Sequence, residues 1–250
     1  MLNGDKIESL INNKIMKIHV FDTVTSTNDV ARELCNTTVE PLLVIADSQT
    51  SGRGRQGKSF FSPENSGLYF SFTYDTDSPD FDFTGLTCAV AVAVTRAVEK
   101  LTELKPEIKW VNDIYLDGKK VAGILVQSVA QNGVIKKVII GVGVNISTVQ
   151  FPDELKNIAG SLGAELDRNI LAAEIVNNTY ELLSKTPDSY LDEYRDKSNV
   201  IGKEIIYIRD NIPHNATAVD IDSIGGLVVL ENGEKITLTS GEISLRIPLK

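Results

Sequence analysis

Between Pro106 and Ile146 the dipeptides Asp117-Gly118 and Asn132-Gly133 divide a stretch otherwise rich in Val, Ile and Leu. Such pairs adopt the positive φ angles of tight hairpin turns, whose twist matches that of the flanking strands. The stretch therefore predicts a three-stranded antiparallel meander. Upstream, residues 15–22 and 42–47 read as strands, and Val30, Ala31 and Leu34 have helical spacing within Asn28–Cys35. That order is a β-α-β opening. Residues 67–74 (GLYFSFTY) form another strand by their aromatic and β-branched content, and the Ala- and Val-rich run 86–101 predicts a buried helix. Residues 168–183 and 189–198 continue as helices. Beyond Val200, short alternating runs broken by Gly225-Gly226 and Asn232-Gly233 predict a small β-barrel. The expected class is α+β, with residues 1–199 as one domain and 200–250 as a second.

Composition narrows the function classes. A net charge of −9 opposes a protein whose main task is gripping nucleic acid, since phosphate contacts need clustered Lys and Arg. Cys35 and Cys88 are too few for a disulfide framework and too far apart for a CxxC motif, which points to reduced thiols in the cytoplasm. The N-terminus has no apolar signal core, and no apolar run approaches the ~20 residues of a membrane span, so no membrane partner is expected.

Several segments carry chemistry. Ser51–Lys58 (SGRGRQGK) combines three glycines with Arg53, Arg55 and Lys58, suiting a flap over phosphates; its plain alternative is a basic surface loop. The GxGxxG pattern inside it is followed by SFFSP rather than a helix, so it is a weak dinucleotide signal, and the Walker pattern is unmatched. In Lys109–Ile114 (KWVNDI), Asp113 has the chemistry to hold Mg²⁺ beside phosphate oxygens, or to form an Asx-turn. Of Lys119 and Lys120, strand alternation places Lys120 on the face of Ala122 and Ile124. Thr25–Asp29 (TSTND) reads as a helix N-cap, and Gly141–Ile146 (GVGVNI) as a strand that another backbone or a ligand approaches closely.

Taken in order, TSTN, QTSGRGRQGKSFFSP, LYFSF, KWVNDIYLDGKKVAGIL, GVGVNI and GEISLR resemble the biotin protein ligase family over nearly the whole chain. The resemblance implies a catalytic domain with a mixed sheet flanked by helices, related to class II aminoacyl-tRNA synthetases, followed by an SH3-like β-barrel. It also implies the ligase-only group, since few residues precede the first strand. By motif, Ser26, Thr27, Asn28 and Gln49 line the biotin pocket, and the flap of Gly52, Arg53, Arg55 and Lys58 closes over the adenylate. Phe60 stands where relatives often carry a tryptophan. Lys120 matches the family's active-site lysine, with Ala122 and Gly123 as backbone that approaches the ligand. Asn112 and Asp113 match the triphosphate and Mg²⁺ position, Asn145 lies near the nucleotide, and Arg246 reaches from the C-terminal module.

The activity so implied is an ATP-dependent biotin–[acetyl-CoA-carboxylase] ligase. It forms biotinyl-5′-AMP and passes biotin to a lysine of a biotin carboxyl carrier domain; a homodimer remains open. Lys120, Arg53 and Arg55 are the expected catalytic groups. A lipoate or octanoate ligase would share the fold class but needs no polar pocket such as STN with Gln49. An RNA-binding module using the Gly-Arg loop conflicts with the net charge, and a biotin-sensing repressor would need a further DNA-binding domain.

Overall fold

The structure, a computed structural model, describes residues 1–13, 15–76, 81–131, 134–210, 212–241 and 243–245. A seven-stranded mixed sheet with strand order β1-β2-β3-β7-β6-β5-β4 forms the larger body. Its strands are β1 (Lys17–Val24), β2 (Leu42–Gln49), β3 (Gly67–Asp75), β4 (Glu107–Lys109), β5 (Asp113–Leu116), β6 (Lys119–Gln131) and β7 (Val134–Asn145). β1 and β2 pair in parallel and are joined by α2 (Thr27–Leu34), as the β-α-β opening predicts. The meander has a fourth strand, because β4 pairs antiparallel with β5. Asp117 and Gly118 carry φ of 50° and 75°, the positive angles expected of their turn; the Asn132-Gly133 turn lies outside the described residues.

Strand alternation sorts the sheet's two faces. Leu68, Phe70 and Phe72 of β3, Ala122 and Ile124 of β6, and Val138, Ile140, Val142 and Val144 of β7 belong to the main core. That core is shared with α3 (Phe83–Leu101) and α4 (Arg168–Leu183). Nearly every α3 residue from Gly85 to Val98 is buried, which its Ala- and Val-rich sequence allows. Among the described residues, the helix on the opposite face is the short α2, whose Ala31 packs with Leu42, Val44, Val129 and Ile139. Past that patch, β6 and β7 present Gly123, Gly141, Gly143 and Asn145 in alternation, and this uncovered part becomes a cleft.

The sequence reading did not foresee α1 (Gly4–Leu10), capped by Asn3, whose side chain accepts from Lys6 N, and packed through Ile7. Helix α5 (Asp188–Asp196) leads into the second unit, a five-stranded antiparallel sheet ordered β11-β10-β9-β8-β12. Those strands are β8 (Glu204–Arg209), β9 (Ile212–Ile221), β10 (Leu227–Glu231), β11 (Glu234–Leu238) and β12 (Ile243–Leu245). This is the expected SH3-like architecture. Among the described residues, no helix is long and apolar enough to cross a membrane.

Candidate active site

Because β1 and β2 run in parallel, their carboxyl ends come together: Val24 is the partner of Gln49, and Ser51 N donates to Thr25 O at 2.8 Å. This registers the TSTN segment against the start of the glycine-rich loop. Ser26 is the N-cap residue of α2 by position, but its side chain makes no capping bond. Gln49 takes over that duty: its Oε1 accepts from Thr27 N at 2.9 Å and from Thr27 Oγ1 at 3.2 Å. The polar side chains of this turn are therefore spent on one another and on the cleft, rather than on capping as the plain reading expects.

The glycine-rich loop is a small hairpin. Gly54 N donates to Lys58 O, Phe60 N donates to Gly52 O, and the tip turns through positive φ at Gln56 and Gly57. Its return arm is tied to the pocket wall, since Gln49 Nε2 donates to Ser62 Oγ at 2.8 Å and Ser62 Oγ donates to Phe60 O at 2.9 Å. Phe60 folds onto the glycine floor. A Cβ built on Gly143 would stand 2.6 Å from the Phe60 ring, so only glycine leaves room for it.

Cationic groups meet behind this hairpin. Lys120 Nζ lies 2.6 Å from Asp113 Oδ1, and Arg55 Nη1 donates to Asn112 Oδ1 at 3.1 Å. Arg53 Nε pairs with Asp29 Oδ2 at 2.9 Å and is more than half exposed. The facing expected of Lys120 is corrected by the register. Tyr115 pairs with Lys120 but Ile114 with Ala122, so Val121 is an extra residue in a β-bulge. The slip moves Lys120 off the Ala122 face: its Cε and Nζ come 3.1 and 3.2 Å from a Cβ built on Gly123. Ala122 itself is buried in the core on the other side. The same lysine faces the cleft, for a reason that strict alternation does not contain. Lys119 turns away, donating to Lys156 O.

Two connected spaces result. A narrow pocket of about 40 Å³ is lined by Ser26, Thr27, Asn28, Gln49, Arg53 and the three glycines Gly123, Gly141 and Gly143, among others. A wider cavity of about 370 Å³ is lined by Lys58, Asp113, Asn145 and the apolar Phe61, Phe151 and Ile158, and reaches Ile243 and Ser244 of the second unit. Gly54, Arg55, Phe60, Asn112 and Lys120 line both and so mark the junction. Gly52 lies just behind the wall, against Gln49 and Ser62. Every expected site residue thus falls in or beside the two spaces except Ala122, which is turned into the core, and Arg246, which lies outside the described residues.

Residues not foreseen complete the site. Ser71, fully buried on β3, has its hydroxyl 2.6 Å from Asn28 Oδ1 and 2.7 Å from Thr27 Oγ1. Gln127 on β6 accepts from Asn28 Nδ2 at 2.9 Å. The signal for Ser71 was a lone polar residue in the aromatic run LYFSF. Trp110 Nε1 donates at 2.9 Å to Gly225 O, in the turn between β9 and β10, so the second unit buttresses the KWVND segment. Asp113 Oδ1 and Asn145 Oδ1 are buried without an aligned hydrogen bond, and their residues line the wider cavity. Burial raises the thiol pKa of both Cys35 and Cys88, keeping them in the protonated, unreactive form.

Comparison with known proteins adds to this geometry. The profile of the Biotin/lipoate A/B protein ligase family matches residues 20–145, and that of the Biotin protein ligase C terminal domain matches residues 200–246. The chain is 35% identical over 195 residues to the bifunctional ligase/repressor BirA of Bacillus subtilis, covering 76% of this chain and 60% of that relative's length. It is 29% identical over 235 residues to the biotin–[acetyl-CoA-carboxylase] ligase of Mycobacterium tuberculosis, covering 88% and 84%. A biotin protein ligase from Aquifex aeolicus, solved in complex with biotin and ATP, superposes with a TM-score of 0.79 at 28% identity, covering 92% of this chain and 98% of that one.

Proposed function

Since the chain belongs to the biotin/lipoate A/B protein ligase family, we propose that it activates biotin with ATP and transfers the biotinyl group to a lysine of a biotin carboxyl carrier domain. The narrower activity is that of a biotin–[acetyl-CoA-carboxylase] ligase, acting in the cytoplasm, where ATP and reduced thiols coexist. The observation that carries the reading is the junction: Arg55 and Lys120 stand between a small polar pocket and a larger, partly apolar cavity. A ureido head fits the first, adenosine the second, and the carboxylate and α-phosphate meet at the cations. The Aquifex protein of the same fold was solved with these two ligands.

In the first half-reaction a carboxylate oxygen of biotin attacks the α-phosphorus of ATP, the bond to the bridging oxygen breaks, and pyrophosphate leaves. Both partners are anionic, so preorganised cations lower the barrier by matching the charge that develops between them. Lys120 serves this role, held by Asp113; Arg55 is fixed by Asn112, and Arg53 is drawn from Asp29 towards the ligand. The hairpin 52–60 excludes water from the mixed anhydride. In the second half-reaction the carrier lysine, as a neutral amine, attacks the acyl carbon and AMP departs with the bonding electrons. No enzyme nucleophile is needed, in keeping with two buried, protonated cysteines.

Mg²⁺ is part of the proposal. Its preference for a single carboxylate completed by phosphate oxygens and water fits Asp113, whose carboxylate among the described residues otherwise meets only Lys120 Nζ, with the buried Asn145 oxygen lining the same cavity. Bound there, it would neutralise polyphosphate charge. We further propose residues 1–199 as the catalytic unit and 200–250 as a module that completes the ATP or carrier side, Arg246 included. β1 is one of the two outer strands of the sheet, and a homodimer formed by strand pairing would use such an edge. The test is incubation with biotin, ATP and a carrier domain. Biotin is expected on one carrier lysine and absent when that lysine is replaced by arginine; labelling with lipoate alone would overturn the reading.

A further inference from the structure

We propose that Ser71 is a positioning residue that sets the donor and acceptor polarity of the narrow pocket, and through it the preference for a cyclic urea over an apolar head; this rests on the biotin reading. Ser71 is fully buried and does not line the pocket, so it acts only through neighbours. Its one hydroxyl proton faces two acceptors, Asn28 Oδ1 and Thr27 Oγ1, at 2.6 and 2.7 Å. From there the donors run outward in one direction. Thr27 Oγ1 donates to Gln49 Oε1, Gln49 Nε2 to Ser62 Oγ, and Ser62 Oγ to the Phe60 carbonyl on the hairpin. On the other branch Asn28 Nδ2 donates to Gln127 Oε1.

This direction decides what the pocket offers. With its proton given to Gln49, Thr27 can present only oxygen lone pairs to a ligand. With its carbonyl oxygen held by Ser71 and one amide proton by Gln127, Asn28 has its second amide proton left to donate. An acceptor beside a donor complements the N–H and C=O of a urea and offers nothing to a dithiolane or a plain acyl chain. Gly141 enforces the arrangement: a Cβ there would lie 2.1 Å from Asn28 Oδ1, so the amide oxygen occupies the space that the missing side chain leaves. Without Ser71, the Asn28 amide oxygen loses the donor that holds it and the amide can rotate. A buried urea would then be left partly unsatisfied.

The test is biotin-dependent pyrophosphate exchange by the full chain and by Ser71→Ala, with biotin, desthiobiotin and lipoate as alternative acids. Desthiobiotin keeps the urea and lacks the sulfur ring. Ser71→Ala should raise KM about tenfold for biotin and desthiobiotin alike, the loss of roughly one hydrogen bond's discrimination. The KM for ATP and the maximal rate should stay within about twofold, so the preference for biotin over lipoate falls by about the same tenfold. Gln127→Leu, on the partly exposed end of the network, should act in the same direction and serves if Ser71→Ala fails to fold. An unchanged biotin KM in the folded variant, or equal losses for all three acids, would overturn the role of Ser71. Failure of the unsubstituted chain to use biotin would instead refute the functional reading itself.

Discussion

Replacing Gly52 by alanine puts a methyl group where the structure has no room. Its Cβ would lie 2.4 Å from Phe60 O, 2.8 Å from Ser62 Oγ and 2.9 Å from Gln49 Nε2. The nearest atom is backbone, so relief requires the return arm of the hairpin to move away. That movement sacrifices the Phe60 N to Gly52 O bond at 2.8 Å and the Gln49 to Ser62 bond at 2.8 Å. Two hydrogen bonds at about 1 kcal/mol each, with overpacking strain at the low end of its usual 1–3 kcal/mol, give about 2–4 kcal/mol against the closed hairpin. At ~1.4 kcal/mol per decade this predicts roughly 30- to 700-fold faster escape of biotinyl-5′-AMP. Gly57→Ala is the contrast. It meets no atom within 4 Å, and its φ of 76° carries only the left-handed penalty of about 1 kcal/mol, so about fivefold faster escape is expected. The assay loads enzyme with labelled biotin and ATP, removes free ligand, and follows adenylate loss during an unlabelled chase. Equal release rates for the two variants would refute the idea that the Gly52 contact holds the hairpin shut.

Lys120→Ala should slow pyrophosphate exchange by about 100- to 1,000-fold, the usual cost of removing a preorganised charge-stabilising group, with little change in biotin binding. Lys119→Ala should stay within a few-fold of the unsubstituted rate because Lys119 points to Lys156 O; similar losses for both would contradict the assignment of Lys120 alone to the cleft. A chain ending at residue 199 removes the Gly225 carbonyl that receives Trp110 Nε1, and should transfer biotin poorly; full transfer would refute the buttress. Asp167 caps α4, and Lys6 Nζ at 2.6 Å is the main cause holding its carboxyl at about 2. A lowered pKa contributes stability above the ordinary carboxylate value of about 4 that is lost as pH falls towards 2. Asp167→Asn should therefore flatten the acid limb of a thermal-melting profile between pH 4 and 2; an unchanged limb would sink the assignment.

The elements set by strong local chemistry were legible in advance. Asp117-Gly118 announced its hairpin because few other residues adopt consecutive positive φ angles, and the Ala- and Val-rich α3 announced a helix buried on all sides. What escaped depended on partners distant in the chain. The helix α1 is short, and its stability comes from Ile7 packing in the core and Asn169 accepting from Asn3 N, neither visible in a charged N-terminal run. The capping reading of TSTN failed because Gln49, twenty-two residues on, takes the Thr27 amide. Lys120 was chosen by alternation, which the bulge at Val121 breaks; both errors left the residue choice intact. Ser71 and Gln127 were missed since a buried serine reads as strand filler until the Asn28 side chain is seen against it.

The most direct test of the account is exchange of labelled pyrophosphate into ATP by the purified chain, with and without biotin. Adenylation at the junction of the two spaces is reversible, so label should enter ATP when biotin is added and not when it is omitted, without any carrier protein, and the exchange should collapse in Lys120→Ala. Exchange that proceeds with no added acid, or is supported by lipoate as well as by biotin, would contradict the account.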